Sequence, residues 1–438
     1  MAGGTVALLP WGNVVEDFLD PIGLTVDDFE QGMTGGWLFG YAQALAKAGW
    51  RTVIAYPSRA AHFTRTNEMG LVRTIHAGSG AVMVRLPVPP AYAKVVRRVR
   101  DPYGWTAQAM FGPVPRPLRP AADLLRQALP YMAFPGAALE AVLRGEGCTA
   151  LMVQEYEYAR FDLAVRLGRR MGIPVFATFQ GGDGHPPGIE DRIRPRSLKS
   201  AAGLVVGSGA ELERLKARYG LDPCRLHRIG NPLDLRIWQA RDKADSRAAL
   251  GIPEGARVVV CHGRVEIRRK GLDLLLAAWR QVAAARPGQD IRLLLLGDGA
   301  DGDRLQALLA ADPVPGLTWN RGYTLDRKAV VRALSAADAY VIASRQEGFP
   351  VAPLEAMACG LPVVAAETHG IRDVLAEGEG SGGLLVPPED PDALAAALLR
   401  LLDDPPRARA LGERARARVE REYALEPVGK RLAAVLNP

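Results

Sequence analysis

Two glutamates, Glu347 and Glu355, stand with seven residues between them in the stretch SRQEGFPVAPLEAMACGLPVVAA, residues 344–366. Ionised carboxylates are hydrogen-bond acceptors only. The strand-like run AYVIAS delivers Glu347 at its end, and the Gly348-Phe349-Pro350 turn leaves backbone amides free to point at a ligand. Pro353 suits a first helical turn, which puts Glu355 near the start of a helix LEAMACG that Gly360 and Pro362 end. Both carboxylates then face one cleft at different depths. A carboxylate in a first turn also simply stabilises the helix dipole, so Glu355 fits either role.

Two further stretches carry anion-binding chemistry. In GMTGGWLFGYAQALAKAG (32–49), Gly35 and Gly36 precede a helix marked by Leu38, Tyr41, Ala42 and Leu45 and stopped at Gly49. Exposed amides at such a start receive an anion, and a tight turn explains the glycines equally well. In HGRVEIRRKGLDLLL (262–276), Arg264 and Lys270 flank a strand-to-helix loop and suit phosphate, with Arg268 and Arg269 crowding the assignment. The spacing alone is also that of a solvated basic turn. The Asp-x-Asp in DGADGD (298–303) follows LLLLG as a loop and reads as structural. No His/Cys cluster marks a metal site, and Cys148, Cys224, Cys261 and Cys359 lack ligand or CxxC spacing, which fits a reducing cytoplasmic setting.

The elements that must hold these residues alternate along 438 residues, too many for one core, so two domains are expected. Strand runs TVALLPW, RTVIAYP, AVMVRLP, ALMVQE, PVFATFQ and GLVVGS are followed by RVVVCHG, IRLLLLG, LTWNRG, AYVIAS, LPVVAA and GGLLVP, with helix-length segments between. Non-alternating Val, Leu and Ile runs joined by helices specify parallel strands covered on both faces. The chain therefore reads as α/β, with two Rossmann-like doubly wound domains facing a central cleft. The expected division is 1–232, 233–420 and a C-terminal helix, 421–438, crossing back to the first domain, with Pro427 as a kink. The apolar runs are short of a membrane span, and MAGGTVALLPWGN reads as a first strand rather than a leader. The net charge of +7 is uneven: residues 85–126 hold eight basic side chains against Asp101 and Asp123. Within 91–120, Lys94, Arg97 and Arg98 share a helical face near Tyr92, Trp105 and Phe111, which suits a membrane surface or a solvated insertion over an acceptor site. No nucleic-acid motif accompanies the charge.

Taken together, TGGW, GNPLDLRIW, GR with KGLDLLL, LLLLGDG and the two-glutamate stretch resemble the retaining glycosyltransferases of family 4, which have the GT-B fold. The resemblance spans nearly the whole chain and is most specific over 258–390. It implies transfer of a hexosyl group from a nucleoside-diphosphate sugar, UDP- or GDP-linked, to an acceptor hydroxyl on a saccharide, a lipid-linked molecule or a small molecule. It implies that Glu347 meets donor-sugar hydroxyls, with backbone contacts from Gly348, Phe349 and Pro350, and that Glu355 binds the ribose. Arg264 and Lys270 would hold the diphosphate, Gly35 and Gly36 would approach it from the first domain, and Tyr323 would seat the base. No cofactor and no metal is expected, because the cations supply the charge that a metal supplies elsewhere. Two departures stand out. Gln180 occupies the family's usual histidine position on the acceptor side, with His185 five residues on, and the Arg-to-Lys loop is one residue longer, which also makes Arg269 a phosphate candidate. A cytoplasmic enzyme is implied, touching the inner face of the membrane if 91–120 docks there. The competing classes are a nucleotide-sugar epimerase of the same fold and a non-catalytic sugar-nucleotide-binding subunit.

Overall fold

The computed structural model describes residues 3–59, 71–181 and 188–437. The chain forms two compact units. One comprises Met1–Gly207, Glu211–Ile229 and Gly429–Pro438, and the other Ser208–Ala210 and Gly230–Val428.

The first unit is built on eight strands: β1 (Thr5–Leu9), β2 (Arg51–Ser58), β3 (Val72–Ile75), β4 (Val82–Pro87), β5 (Ala150–Val153), β6 (Val175–Phe179), β7 (Gly203–Val206) and β8 (Leu226–Arg228). Their order is β3-β4-β2-β1-β5-β6-β7-β8, parallel except for the β3–β4 pair. The chain starts in the middle and winds outward both ways, so the order reverses between β1 and β5. Ligands of such sheets bind outside the strand carboxyl ends at that reversal.

The second unit holds β9 (Arg257–His262), β10 (Ile291–Leu296), β11 (Leu317–Asn320), β12 (Ala339–Ile342), β13 (Val363–Ala366) and β14 (Gly383–Val386), in the order β11-β10-β9-β12-β13-β14. All its neighbouring strands are parallel, and the reversal falls between β9 and β12. Both faces of this sheet are dry. Val258, Val260, Tyr340 and Ile342 enter one apolar cluster, whereas their neighbours Val259, Cys261, Ala339 and Val341 enter another. Helices cover each side, and each such side chain contributes up to about 1.5–3 kcal/mol by leaving water.

All twelve strand runs read from the sequence are strands. β3 and β8 escape that reading: β3 alternates half-buried and exposed residues, and β8 is a three-residue edge. The tail differs from expectation. One helix ends at Glu422 and another runs Leu425–Leu436, so Pro427 lies in a first turn, where its missing N–H costs nothing, rather than kinking a continuous helix. The basic segment also departs: its helix is Pro90–Val96, so Arg97 and Arg98 lie beyond it rather than on one face with Lys94.

Within the first unit, Gly429 lets the terminal segment lie against the helix Gly36–Lys47, because a Cβ there would overlap the Ala44 carbonyl oxygen. Gly429→Ala should therefore cost about 1–3 kcal/mol by overpacking. Hydrogen exchange should show faster opening of amides 36–47 than in wild type, and unchanged protection there would refute the contact's importance.

Candidate active site

In the second unit, the strands flanking the reversal deliver the polar groups. β9 ends in His262, whose Nε2 lies 2.7 Å from Glu355 Oε2. Glu355 sits in the first turn of the helix Ala352–Ala358, which Pro353 opens, as the spacing indicated. Two residues past β12, Ser344 donates its hydroxyl to Glu347 Oε1 at 2.6 Å, and Lys270 Nζ donates to the same oxygen at 2.7 Å. Glu347 is buried and Glu355 half-buried. Neither Glu347 Oε2 nor Glu355 Oε1 takes a hydrogen bond among the described residues, so each carboxylate is pinned by one oxygen and keeps the other.

Lys270 reaches Glu347 because of the next residue. Gly271 has φ 61°, and a Cβ there would overlap the carbonyl oxygen of Ala343, so the loop touches the end of β12 only with glycine in place. Arg345 reinforces the contact. Its amide donates to the Arg269 carbonyl at 2.9 Å, and its guanidinium donates to the Arg268 carbonyl, to both oxygens of Asp273 and to Glu389. On the outer side of the loop Arg264 is exposed and pairs with Glu266 at 3.0 Å, Arg268 is exposed, and Arg269 is half-buried.

The acidic loop after β10 supports the basic one. Asp301 accepts from the Ile267 amide at 2.7 Å, and Asp298 and Asp303 both accept from Arg321. No group of three or more His, Cys, Asp or Glu able to hold a metal occurs among the described residues. Tyr323 is exposed in the loop after β11. The Phe349 ring turns inward onto Tyr423, with ring centroids 5.8 Å apart, and of the Gly348–Pro350 turn only Gly348 is half-buried, Phe349 and Pro350 being buried. The Gly370 amide braces that turn by donating to the Glu347 carbonyl at 3.2 Å.

The first unit places Gly35 (φ 74°) and Gly36 (φ 59°) at the start of the helix Gly36–Lys47, beside a cavity of about 310 Å3. Trp37 also lines this cavity, and its buried Nε1 has no acceptor among the described residues. The preceding segment is anchored from below. Glu30 takes Tyr56, Thr74 and Arg85, and the Met33 carbonyl lies 2.8 Å from His76 Nε2. Gln180 lies just past β6, and its amide donates to Glu155 Oε1 at 2.9 Å. His185 falls outside the described residues.

Two polar residues were not singled out from the sequence. His262 is the last residue of β9, and its place before the GR pair is the signal that marks it. Glu155 follows β5 in VQEYEYAR; it is buried with φ 59°, a conformation that costs a non-glycine residue roughly 1–2 kcal/mol. Burial pushes its carboxyl up to about 8, with the Gln180 amide opposing, and its Oε2 has no partner among the described residues.

Residues 256–404 match the family model described as Glycosyl transferases group 1. A GDP-mannose-dependent monoacylated alpha-(1-6)-phosphatidylinositol monomannoside mannosyltransferase of Corynebacterium glutamicum is 34% identical over 236 residues, 52% of this chain and 59% of that protein. A D-inositol 3-phosphate glycosyltransferase of Thermobispora bispora is 31% identical over 284 residues, 58% of this chain and 66% of that one. The chain thus spans about three fifths of the curated relatives it matches most strongly. Among solved structures, sucrose-phosphate synthase of Thermosynechococcus elongatus superposes with a TM-score of 0.68 at 23% identity, covering 99% of this chain and 98% of that one. Anabaena Alr3699/HepE in complex with UDP gives 0.67 at 14%, covering 99% of each chain. These likenesses establish the fold, two Rossmann-like units of the GT-B type.

Glu155 gives a pH prediction. Its folded-state value of about 8 lies above the ordinary 4.5, so the folded protein holds a proton that the unfolded chain releases between those values. Wild-type stability from this group is present below about pH 4.5 and is lost as pH rises through 8. Glu155→Gln keeps the acceptor for the Gln180 amide and cannot ionise. It should gain on wild type by on the order of a few kcal/mol between pH 5 and pH 9. Denaturant titrations at the two pH values check this; a pH-independent difference would refute it.

Proposed function

We propose, from the match of residues 256–404 to the Glycosyl transferases group 1 model, that the protein transfers a hexosyl group from a UDP- or GDP-linked sugar to an acceptor hydroxyl, with retention and without a metal. One observation carries the reading. Two carboxylates stand at the sheet reversal, each fixed through one oxygen and open at the other, beside a loop of four cations. In this proposal Glu347 Oε2 accepts hydroxyls of the transferring sugar, and Glu355, held by His262, accepts those of the ribose. Tyr323 offers an exposed ring to the base.

Arg264, Arg268 and Lys270 meet the diphosphate, where negative charge grows as the glycosidic bond breaks. Lys270 is then shared between the phosphate and Glu347, so the residue that binds the sugar also senses the leaving group. Retention requires the acceptor hydroxyl to approach from the departing face, which is a matter of positioning. The printed names of the relatives include a phosphatidylinositol mannoside and an inositol phosphate as acceptors, so a polyol acceptor, lipid-linked or free, is part of the proposal.

The test is incubation with radiolabelled UDP- and GDP-hexoses and candidate acceptors in excess chelator, scoring transfer, epimerised donor and binding separately. Transfer that persists in chelator is expected; epimerisation alone, or dependence on restored manganese, would overturn the reading. Glu355→Ala should weaken nucleoside diphosphate binding about tenfold, as loss of one charged hydrogen bond worth ~1.5 kcal/mol would do. Glu347→Ala should lower kcat by two or more orders of magnitude while the diphosphate still binds. Equal loss of diphosphate affinity in both variants would contradict this division.

A peripheral membrane contact through 91–120 is also proposed. Leu118 is exposed in the same segment as the exposed Arg97, Arg98, Arg100, Arg116 and Arg119, a mixture that suits an anionic bilayer surface. No helix among the described residues is long and apolar enough to cross a membrane. Cosedimentation with vesicles of phosphatidylglycerol, and its loss in Arg97→Glu/Arg98→Glu or in high salt, is expected; equal binding to neutral vesicles would sink the contact.

A further inference from the structure

The first unit has a second cavity, of about 320 Å3, that the donor chemistry does not use. Trp11 and Tyr158 line it, and they follow β1 and β5, the two strands flanking the sheet reversal. Their rings stack at 4.9 Å and 24°, and Tyr103 meets Trp11 edge-on at 5.0 Å. Trp105 completes the aromatic wall with 53% of its surface exposed. Arg126 and Glu190 line the same cavity. Trp11 also borders the cavity beside Gly35 and Gly36, so the two spaces adjoin through one indole.

We propose that this cavity seats a pyranose ring of the acceptor, which makes the acceptor a saccharide; the inference rests on the transferase reading above. The chemistry matches on three counts. A pyranose has an apolar C–H face that packs on aromatic rings and a rim of paired hydroxyls. Arg126 donates and a carboxylate accepts, so both polarities of a hydroxyl pair are met. The cavity volume lies within reach of one hexose ring. A fatty chain would leave Arg126 and Glu190 desolvated without new partners, and an anion would meet the Glu190 carboxylate. Glu190 takes no hydrogen bond among the described residues; its approach to Arg194 is 3.9 Å. Burial raises its carboxyl to about 7, with Arg194 opposing, so a hydroxyl donor from a ligand would relieve an under-solvated group.

Saturation-transfer NMR on the full-length protein tests this with methyl α-D-mannopyranoside, methyl α-D-glucopyranoside and hexanol as probes, and calorimetry follows UDP and GDP. At least one pyranoside should give saturable contacts through its ring protons that hexanol does not displace. Trp105→Ala, at an exposed position that leaves folding intact, should weaken it about tenfold, the loss of an aromatic face worth ~1.4 kcal/mol. Glu190→Gln should weaken it several-fold, and neither change should alter nucleotide binding. Displacement by hexanol, no pyranoside contact, or wild-type affinity in both variants would overturn the proposal. Nucleotide binding without pyranoside binding defeats this inference alone. Pyranoside binding in a protein that takes neither nucleotide defeats the transferase reading and leaves the subsite standing.

Discussion

The second unit turns on a backbone contact that admits no side chain. Gly271, in the left-handed region, lies over the carbonyl oxygen of Ala343, and a Cβ would collide with it. That contact sets the basic loop against the end of β12, and Lys270 reaches Glu347 as a result. Arg345 repeats the tie by another route, holding the loop's carbonyls and Asp273 at once. Arg264, Arg268, Arg269 and Lys270 would otherwise repel one another within seven residues. Bound this way, their charge is held at one place by contacts within the protein.

The two glutamates differ in how they are held. Glu347 is buried and takes an ammonium and a hydroxyl on one oxygen, whereas Glu355 is half-buried and takes an imidazole. Charge-assisted bonds of this kind contribute roughly 1.5–3 kcal/mol each, enough to fix a side chain without consuming its second oxygen. Glu155 in the first unit, held among the described residues only by a backbone amide, is pushed toward its neutral form by burial.

The first unit is prepared by similar means with different residues. Glu30, satisfied by Tyr56, Thr74 and Arg85, anchors the segment leading to Gly35 and Gly36, and His76 fixes the Met33 carbonyl. At the reversal, Glu155 ties the end of β5 to the chain leaving β6 through the Gln180 amide. A strained backbone held by a buried acid is stable only when the surrounding packing determines it.

Much was legible in the sequence because parallel strands covered on both faces must be continuous apolar runs, and twelve of fourteen strands announce themselves that way. The position of Glu355 in a first turn follows from Pro353 and Gly360, and the ends of β9 and β12 follow from where their apolar runs stop. β3 and β8 were not legible, since a short edge strand buries too little to leave a pattern. Pairing was not legible either. Glu347 meets Lys270 across seventy-seven positions and Glu355 meets His262 across ninety-three, and local spacing carries no information at that range. The strand order brought those residues together, by setting β9 and β12 side by side at the reversal. The aromatic cavity is the same case: Trp11, Tyr103, Trp105 and Tyr158 are scattered in the chain, and only the packing of the first unit makes them one wall. Sequence determines which residues are apolar enough to be strands and which are equipped for chemistry; tertiary structure decides which of the latter meet, because contact across a sheet depends on strand order rather than on distance along the chain.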